Sequence, residues 1–435
     1  MLDIKFIRDN AELIKEAAKK KHVKIDVDRL LAIDEKRRAL IGEIDEMRRA
    51  HKEGSGGLIP AGAAGLEGSD REKLLEKLRQ DKDKLSHKEF ELRTVEGEFD
   101  ELMFMVPNVP DPSVPDGDSD AENQEIRKWG EPKIEHGRNY MTLMQMHNML
   151  DAERGAKVSG FRGYFLKNDG AILAFALWNF TLEHLMKKGF TPFMTPSLVR
   201  RENLVGTGWL GATDGTAAVG GAPQDAGEDI YKTQDDIYLS GTAEVPMMGY
   251  HRDEILTDSE LPKKYAAFSP CYRREAGSYG KDTKGIFRVH EFFKVEQIIL
   301  CKADHQESIK WHEELTKNSE EIMQALELPY HVVLNCGGDL GLGQVKKYDI
   351  EGWLPSEKKY RETHSASYFH DFQTRRLNIK YRDADGKTRF AHSLNNTAIA
   401  TPRILAVFLE NHQNEDGSIN IPKALQKFFG KEKIG

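Results

Sequence analysis

The sequence predicts an α+β protein in which an N-terminal antiparallel helical hairpin, a coiled-coil arm, precedes an antiparallel β-sheet domain flanked by helices. Two early segments, 26–53 and 69–104, are rich in charge, free of proline and built on apolar heptads. The proline-rich stretch "VPNVPDPSVPDGDSD" follows them. Beyond it, strand-like runs such as "FRVHEFFKVEQIILC" alternate with helical ones such as "AILAFALWNFTLEHLMKKG", which is typical of an α+β domain.

The arm is predicted from its heptads and from the break between its two segments. The seam positions of the second segment are Leu78, Leu85, Leu92 and Phe99, with Leu74, Val95 and Leu102 on a companion seam that Asp81 and Lys88 interrupt. The first segment offers Leu30, Ile33, Leu40, Ile44 and Met47. The intervening "GSGGLIPAGAAGLEGS" cannot continue a helix, so the helices should fold back on each other. A dimerising coiled coil or an ordinary bundle is the alternative; the short return favours an intramolecular arm.

These features divide the chain into three predicted parts. Residues 1–105 form the helical arm, 106–120 a proline-rich linker, and 121–435 the sheet domain. A stiff, extended linker of this composition is a natural domain boundary.

Composition excludes several classes of protein. The 435 residues carry a formal net charge of -8, which argues against non-specific nucleic-acid binding by the whole molecule but leaves room for a local basic surface. No apolar run approaches a membrane span, and the N-terminus does not resemble a signal peptide, so we expect a cytoplasmic protein that does not bind membranes. The widely spaced Cys271, Cys301 and Cys336 predict buried free thiols and neither disulfides nor a zinc site.

The segment 271–297, "CYRREAGSYGKDTKGIFRVHEFFKVEQ", concentrates opposed charges among apolar residues. Alternation in its second half predicts a strand with one buried face, formed by Phe287, Val289, Phe293 and Val295. The opposite face would carry Arg288, His290, Phe292, Lys294 and Glu296. Arg273 and Glu275 share a parity on the preceding strand. A sheet surface of guanidinium, aromatic and carboxylate groups suits a phosphate-bearing nucleotide, although a salt-bridged sheet face is the simpler alternative.

Of two common nucleotide-binding motifs, one is matched without its structural context and the other is absent from the sequence. "GTGWLG" at 206–211 matches G-x-G-x-x-G, but a flexible loop follows it in place of a helix. The chain has no G-x-x-x-x-G-K-[ST] motif, so ATP would have to be held by something other than a P-loop.

Several ordered motifs together resemble the seryl-tRNA synthetase family of class II aminoacyl-tRNA synthetases. "CYRREAGS" with "FRVHEFFKVEQ" is similar to motif 2, "KKGFTPFMTPSLV" to the dimer-forming motif 1, and "HSLNNTAIATPRILAVFLENHQ" to motif 3. "TAEVP" and "RETHSASYFHDFQTRRLNIKYR" resemble further family signatures. The likeness runs from Met1 to about Gln413. It implies a class II synthetase-like catalytic domain, an arm that grips tRNA, and a homodimer.

The resemblance also implies roles for individual residues. It assigns serine binding to Thr242, Ala243, Glu244, Arg273, Glu296 and Thr397. It assigns ATP binding to Arg273, Arg274, Glu275, Arg288, Phe292, Glu362, Thr363, His364, Ser365 and Arg403, with Phe292 under the adenine. Mg²⁺ would be held by Glu362 and Ser365, whose hard oxygens suit that ion. The arm residues expected to contact tRNA are Arg48, Arg49, Lys52, Arg71 and Lys77.

The implied reaction is the ATP-dependent formation of seryl-adenylate, followed by transfer of the seryl group to tRNA(Ser); tRNA(Sec) is a second conceivable acceptor. Two alternatives remain: a paralogue that loads an amino acid onto a carrier protein, and a non-catalytic coiled-coil interaction protein. Motif 3 departs from the family pattern at Asn396, Ala398 and Pro402. His364 and Tyr368 also depart from it, and for them we expect packed, hydrogen-bonded roles. The insert 211–227 has no assigned role.

Overall fold

The computed structural model describes residues 1–56, 69–132, 137–211, 229–276, 282 and 285–435, without the side chains of 53–56, 69–75 and 78. The chain divides into two compact units. One contains Met1–Leu2, Glu16–Val23 and Pro107–Gly435, and the other contains Asp3–Lys15 and Lys24–Val106. The chain therefore leaves the larger unit at Val23 and returns to it at Pro107. The functions predicted for parts 1–105, 106–120 and 121–435 stay predictions.

Helices make up the N-terminal region: α1 Ile4–Asp9, α2 Ala11–Lys20, α3 Val27–Gly56 and α4 Ser69–Met105. The long α3 and α4 run antiparallel: Arg29 near the start of α3 is ion-paired with Glu98 near the end of α4, and Arg48, further along α3, is paired with the earlier Glu89. Predicted seam residues are buried between them: Leu30, Leu40, Ile44, Val95, Phe99 and Leu102. The predicted helical hairpin is confirmed, while its glycine-rich return at 57–68 lies outside the described residues.

The larger unit combines helices with many strands. Its helices are α5 Tyr140–Met146, α6 Ala152–Ser159, α7 Asp169–Lys187, α8 Arg201–Thr207, α9 Glu244–Tyr250, α10 His305–Ala325, α11 Phe372–Arg376, α12 Arg403–His412 and α13 Lys423–Phe429. Its longer strands are β1 Gln124–Trp129, β4 Thr191–Met194, β8 Lys263–Tyr272, β9 Glu291–Cys301, β10 Tyr330–Leu334, β11 Lys346–Leu354, β12 Lys359–Tyr368 and β15 His392–Thr401. Short strands are β2 Leu150–Asp151, β3 Phe165–Leu166, β5 Leu198–Val199, β6 Tyr238–Leu239, β7 Ile255–Thr257, β13 Lys380–Arg382, β14 Thr388–Phe390, β16 Ile419–Asn420 and β17 Lys433–Ile434.

The eight longer strands form one sheet in the order β1-β10-β11-β12-β15-β9-β8-β4. Every neighbouring pair is antiparallel except β4 with β8. The helices α7, α10 and α12 pack on this sheet and share its apolar core, for example through Leu177, Leu315 and Phe408. This confirms the predicted α+β class with a largely antiparallel sheet.

One face of β9 supplies the core and the other is left for polar groups. Val295 and Ile299 belong to the core under the helices, and Gln297 between them donates to the Leu315 carbonyl of α10. Phe292, Lys294 and Glu296 alternate with these residues and lie on the opposite face. The predicted alternation is therefore right from Phe292 onward. The strand begins at Glu291 and not at Phe287, but the predicted burial of Phe287 and Val289 in the core is confirmed.

Among the described residues, no helix combines the length and the apolar character that spanning a membrane requires. The three cysteines are buried and free.

Candidate active site

A polar cavity of about 240 Å³ opens over β8, β9, β12 and β15, on the face of the sheet that Lys294 and Glu296 occupy. Twelve of the predicted site residues line it: Thr242, Glu244, Arg273, Glu275, Arg288, Phe292, Glu296, Glu362, Thr363, Ser365, Thr397 and Arg403. These residues are spread over more than 160 positions of the chain. The sheet brings them together because it places strands that are distant in sequence next to each other.

Hydroxyl and charged groups form a buried cluster in the lining of the cavity. Lys294 pairs with the carboxylate of Glu296 and donates to Thr242 Oγ1 at 3.0 Å. Thr397 Oγ1 donates to Glu296 Oε2 at 3.4 Å. Such a cluster offers hydrogen-bond acceptors for an ammonium or hydroxyl group of a ligand. A ligand that lacks these groups would leave buried polar groups of the protein unpaired.

Glu244 extends this cluster and has an altered acidity. Gln373 Nε2 donates to Glu244 Oε1 at 2.6 Å, and the Trp209 indole donates to Oε2 at 3.4 Å. Burial raises the pKa of Glu244 to about 6, and the negative charge of Glu296 adds to this effect, while Gln373, Lys294 and Trp209 oppose it. The side chain therefore changes its charge close to neutral pH.

Arginines and aromatic rings form a second group in the cavity lining. The Arg273 guanidinium lies 5.4 Å from the ring centres of both Trp209 and Phe292. Arg288 is ion-paired with Glu275. The buried Nε atoms of Arg273 and Arg288 have no hydrogen-bond acceptor among the described residues. Two guanidinium groups with spare donors beside an aromatic ring suit an anion attached to a planar base.

Phe287 is buried in the core, as predicted, and also borders the cavity. Its side chain is 5% exposed, and the guanidinium groups of Arg361 and Arg403 lie 4.2 and 5.2 Å from its ring centre.

The predicted metal ligands share a face because β12 is bulged. Glu362 pairs with Glu351 and His364 with Ile350, so Thr363 is an extra residue in β12. In a regular strand Glu362 and Ser365 would lie on opposite faces; the extra residue puts both against the cavity. Desolvation pulls the pKa of Glu362 upward, but the charges of Arg403 and Lys347 outweigh it and lower the pKa, so the carboxylate stays ionised. A carboxylate and a hydroxyl form a partial oxygen set that fits Mg²⁺ when phosphates complete it.

A second bulge faces the first. Thr397 pairs with Glu296 and Ile399 with Val295, which leaves Ala398 as the extra residue of β15. His364 Nε2 lies 3.0 Å from the Ala398 carbonyl, and its Nδ1 lies 2.8 Å from Thr363 Oγ1. Burial lowers the pKa of His364 to about 4, so the ring is neutral and its Nε2–H donates to the carbonyl. His364 thus connects the two bulged residues.

Three predicted site residues do not line the cavity, for different reasons. Ala243 is fully buried, and His364 is buried with both ring nitrogens engaged. Arg274 is exposed, and its main-chain N–H donates to the Asp229 carbonyl. The structure therefore gives no support for contacts of these side chains with a ligand. His364 and Tyr368 have the packed roles expected of them, Tyr368 donating to Asp111 at 2.8 Å.

Further cavity residues were not assigned a role from the sequence, among them Trp209, Phe287, Lys294, Gln344, Ser367 and Asn395. For Lys294 the signal was present, because it shares the face of Phe292 and Glu296. Asn395 has the parity of Thr397 within β15, which also points to the cavity. Trp209 and Gln344 lie in loops, where no sequence period reports direction.

The predicted tRNA contacts are surface residues of the helical region. Arg49, Lys52 and Lys77 are exposed. Arg48 is exposed and paired with Glu89 at 2.7 Å. The side chain of Arg71 and most of the insert 211–227 lie outside the described residues.

Comparison with known proteins agrees with this geometry. Residues 1–110 match the family model of the seryl-tRNA synthetase N-terminal domain, and residues 229–412 match that of the tRNA synthetase class II core domain (G, H, P, S and T). The serine–tRNA ligase of Deinococcus radiodurans is 44% identical over 100% of this chain and 99% of its own.

Two crystal structures are similar over the whole chain. The seryl-tRNA synthetase of Pyrococcus horikoshii, complexed with ATP, superposes with a TM-score of 0.88 at 40% identity, covering 100% of this chain and 99% of its own. The cytoplasmic serine–tRNA ligase of Naegleria fowleri, in complex with AMP, gives 0.84 at 31% identity, covering 100% and 98%. The chain therefore belongs to the seryl-tRNA synthetase family of serine–tRNA ligases, which carry the class II core.

Proposed function

We propose that the cavity activates L-serine with ATP to form seryl-adenylate, and that the enzyme transfers the seryl group to the 3′ end of tRNA(Ser). The observation that carries this proposal is the meeting, in one cavity, of the carboxylate and hydroxyl cluster around Glu296 with the guanidinium and aromatic groups around Arg273. The first suits a small amino acid that bears a hydroxyl, and the second suits a nucleotide. The relatives crystallised with ATP and AMP support the choice of nucleotide.

In this proposal the substrates occupy opposite parts of the cavity. Glu244, Glu296 and the threonines would bind the ammonium and hydroxyl of serine, while Arg273 would bind its carboxylate next to the α-phosphate. The adenine would lie on Phe292, with Arg403 on its other side. Attack of the serine carboxylate on the α-phosphate then breaks the bond to the β-phosphate and releases pyrophosphate. The protein contributes positioning and charge stabilisation, and no side-chain nucleophile is needed.

Mg²⁺ fits the ATP end of the cavity. Glu362 and Ser365 would hold it, and the ion would neutralise phosphate charge when bound. Arg403 donates to Glu362 Oε2 at 3.1 Å, so it would help to keep that carboxylate in position.

Amino-acid-dependent exchange between ATP and pyrophosphate, run with all twenty amino acids, tests the activation step. We expect strong exchange with serine and very weak exchange with alanine, because alanine leaves the polar cluster unpaired; threonine should be rejected less strongly, since it differs only by one methyl group. Equal exchange with alanine and serine would contradict the assigned pocket. Exchange with another amino acid and none with serine would refute the proposed substrate.

We further propose that the helical hairpin binds tRNA(Ser) through exposed basic residues, of which Arg49 and Lys77 are free of acidic partners in the ion pairs described. The double substitution R49E/K77E should leave serine-dependent exchange unchanged and weaken tRNA charging, with the logarithmic salt slope of tRNA binding reduced by about one unit for each lost phosphate contact. Lys387→Glu, in an exposed turn of the sheet unit, is the matched control. Charging by R49E/K77E at the wild-type rate would contradict this role, and transfer to a carrier protein in place of tRNA would favour the alternative function.

A homodimer is the proposed assembly, and the cytoplasm is the proposed location. Large apolar side chains are exposed at Phe161, Phe165, Ile172, Phe175, Met194 and Leu198, of which Met194 and Leu198 belong to the predicted motif 1. Surfaces of this kind mark contacts with another protein chain. Met194→Glu should shift the enzyme to a monomer in sedimentation, whereas Ile255→Glu, at an equally apolar exposed position elsewhere, should not. A wild-type monomer would refute the proposal.

A further inference from the structure

Lys21 is a buried lysine with an unusual set of partners. Its side chain is 2% exposed, and its Nζ donates to three main-chain carbonyls, those of Gly341, Leu342 and Gln344. Among the described residues no carboxylate is paired with it, and desolvation lowers its pKa. Burying a lysine without a counter-ion is costly, and the three carbonyl contacts offset part of that cost.

The three carbonyls belong to one tight turn, 341–344, in the wall of the cavity. The Gln344 N–H donates to the Gly341 carbonyl at 3.1 Å, and the Gly341 N–H donates to Gln344 Oε1 at 2.6 Å. Gln344 Nε2 then donates to Ser367 Oγ at 2.8 Å. Gln344 and Ser367 both line the cavity.

Asn108 holds the same turn from a different part of the chain. Its side chain is 3% exposed, and its Nδ2 donates to the carbonyls of Gly343 at 3.0 Å and Phe369 at 2.7 Å. Its main-chain N–H donates to the Leu342 carbonyl at 2.9 Å. All four carbonyls of the turn are thus bound by Lys21 or Asn108.

The positions of these two residues in the chain are informative. Lys21 precedes residues 24–106 by three positions, and Asn108 follows them by two. Both belong to the same compact unit as the sheet. The chain segments that lead into and out of the helical hairpin are therefore hydrogen-bonded to one turn of the cavity wall.

We propose that Lys21 and Asn108 are positioning residues for amino-acid activation, which hold the 341–344 turn so that Gln344 keeps its place in the cavity wall. The wall is thereby tied to both ends of the predicted tRNA-binding region. The inference rests on the proposed function only in that the cavity performs the activation step.

The test compares Lys21→Met, Lys21→Arg and the control Lys19→Met in ATP–pyrophosphate exchange, at a temperature at which circular dichroism shows each variant folded. Lys19 is exposed near the end of the same helix. We expect Lys21→Met to lose about ten- to a hundredfold in kcat/KM, because small displacements in a reaction site are costly. Lys21→Arg, which can still donate to carbonyls, should recover most of this loss, and Lys19→Met should behave as the wild type.

A double-mutant cycle separates positioning from simple loss of stability. If Lys21 acts through the turn, adding Gln344→Ala to Lys21→Met should cost nothing further, whereas independent effects would add. A folded Lys21→Met with wild-type kinetics, or additive losses in the cycle, would overturn the inference. Should Lys21→Met not fold, Asn108→Ala carries the same cycle with the same two outcomes. The exchange is run with whichever amino acid the wild type activates, so an activity with another amino acid refutes the proposed substrate and leaves this test intact.

Discussion

Replacing Lys294 by Met should expose how strongly the cavity depends on its internal charge balance. The side chains of Lys294 and Glu296 are 8% and 3% exposed, and Lys294 also donates to Thr242. Lys294→Met leaves the Glu296 carboxylate buried without its cation. Breaking a buried ion pair in this way costs about 3–5 kcal/mol, which is more than a hundredfold in the unfolding equilibrium constant.

The double variant K294M/E296Q provides the decisive comparison. With both charges removed, most of the lost stability should return, since a neutral pair carries no uncompensated charge. Chemical denaturation in urea, followed by tryptophan fluorescence, measures each variant. Lys263→Met is the matched control: Lys263 pairs with Glu260 at 2.9 Å on the surface, where such pairs contribute about 0.2–1 kcal/mol.

The result can refute the reasoning in two ways. If Lys294→Met is as stable as Lys263→Met, the stability of the fold does not depend on the ion pair between Lys294 and Glu296. If the losses of the single variants simply add in K294M/E296Q, the two side chains are not coupled. The serine KM should rise in both single variants, because each disturbs the same polar cluster.

Three further outcomes follow from the site. Phe292→Ala should weaken ATP binding by about 1–3 kcal/mol in calorimetry, as expected for lost base stacking, and an unchanged affinity would show that the adenine lies elsewhere. Because burial raises the pKa of Glu244 to about 6, its ionised form is present above that pH and lost below it; the serine KM should therefore rise as pH falls through about 6. Glu244→Gln should remove this step from the pH profile, and a step that persists would assign it to another group. His364→Ala should remove the hydrogen bond to the Ala398 carbonyl and lower kcat for exchange at temperatures where the variant is still folded. A lower melting temperature with an unchanged kcat would contradict a positioning role for His364.

Local sequence patterns determined which faces of the long helices and of β9 pack or face the cavity, and which family the chain resembles. The heptads of 26–53 and 69–104 determine which faces of α3 and α4 pack together, because a helix repeats its direction every 3.6 residues whatever its surroundings. The alternation of Phe292, Lys294 and Glu296 likewise determines that these side chains share one face of β9. The motifs of the catalytic region carried the family resemblance without any knowledge of contacts.

Only the tertiary structure decided the features that break those periods. The extra residues Thr363 and Ala398 reverse the side on which later residues lie, and no local pattern marks them, since a bulge is defined by the partner strand. For the same reason, the family resemblance could predict that Glu362 and Ser365 lie on one face of the strand, whereas their spacing in the sequence could not. The contacts of Lys21 with the 341–344 turn join residues more than 300 positions apart. From the sequence alone, a lysine such as Lys21 is predicted to be exposed at the surface. Its burial depends on the assembled core and not on the local chain, so only the fold shows which carbonyls surround it.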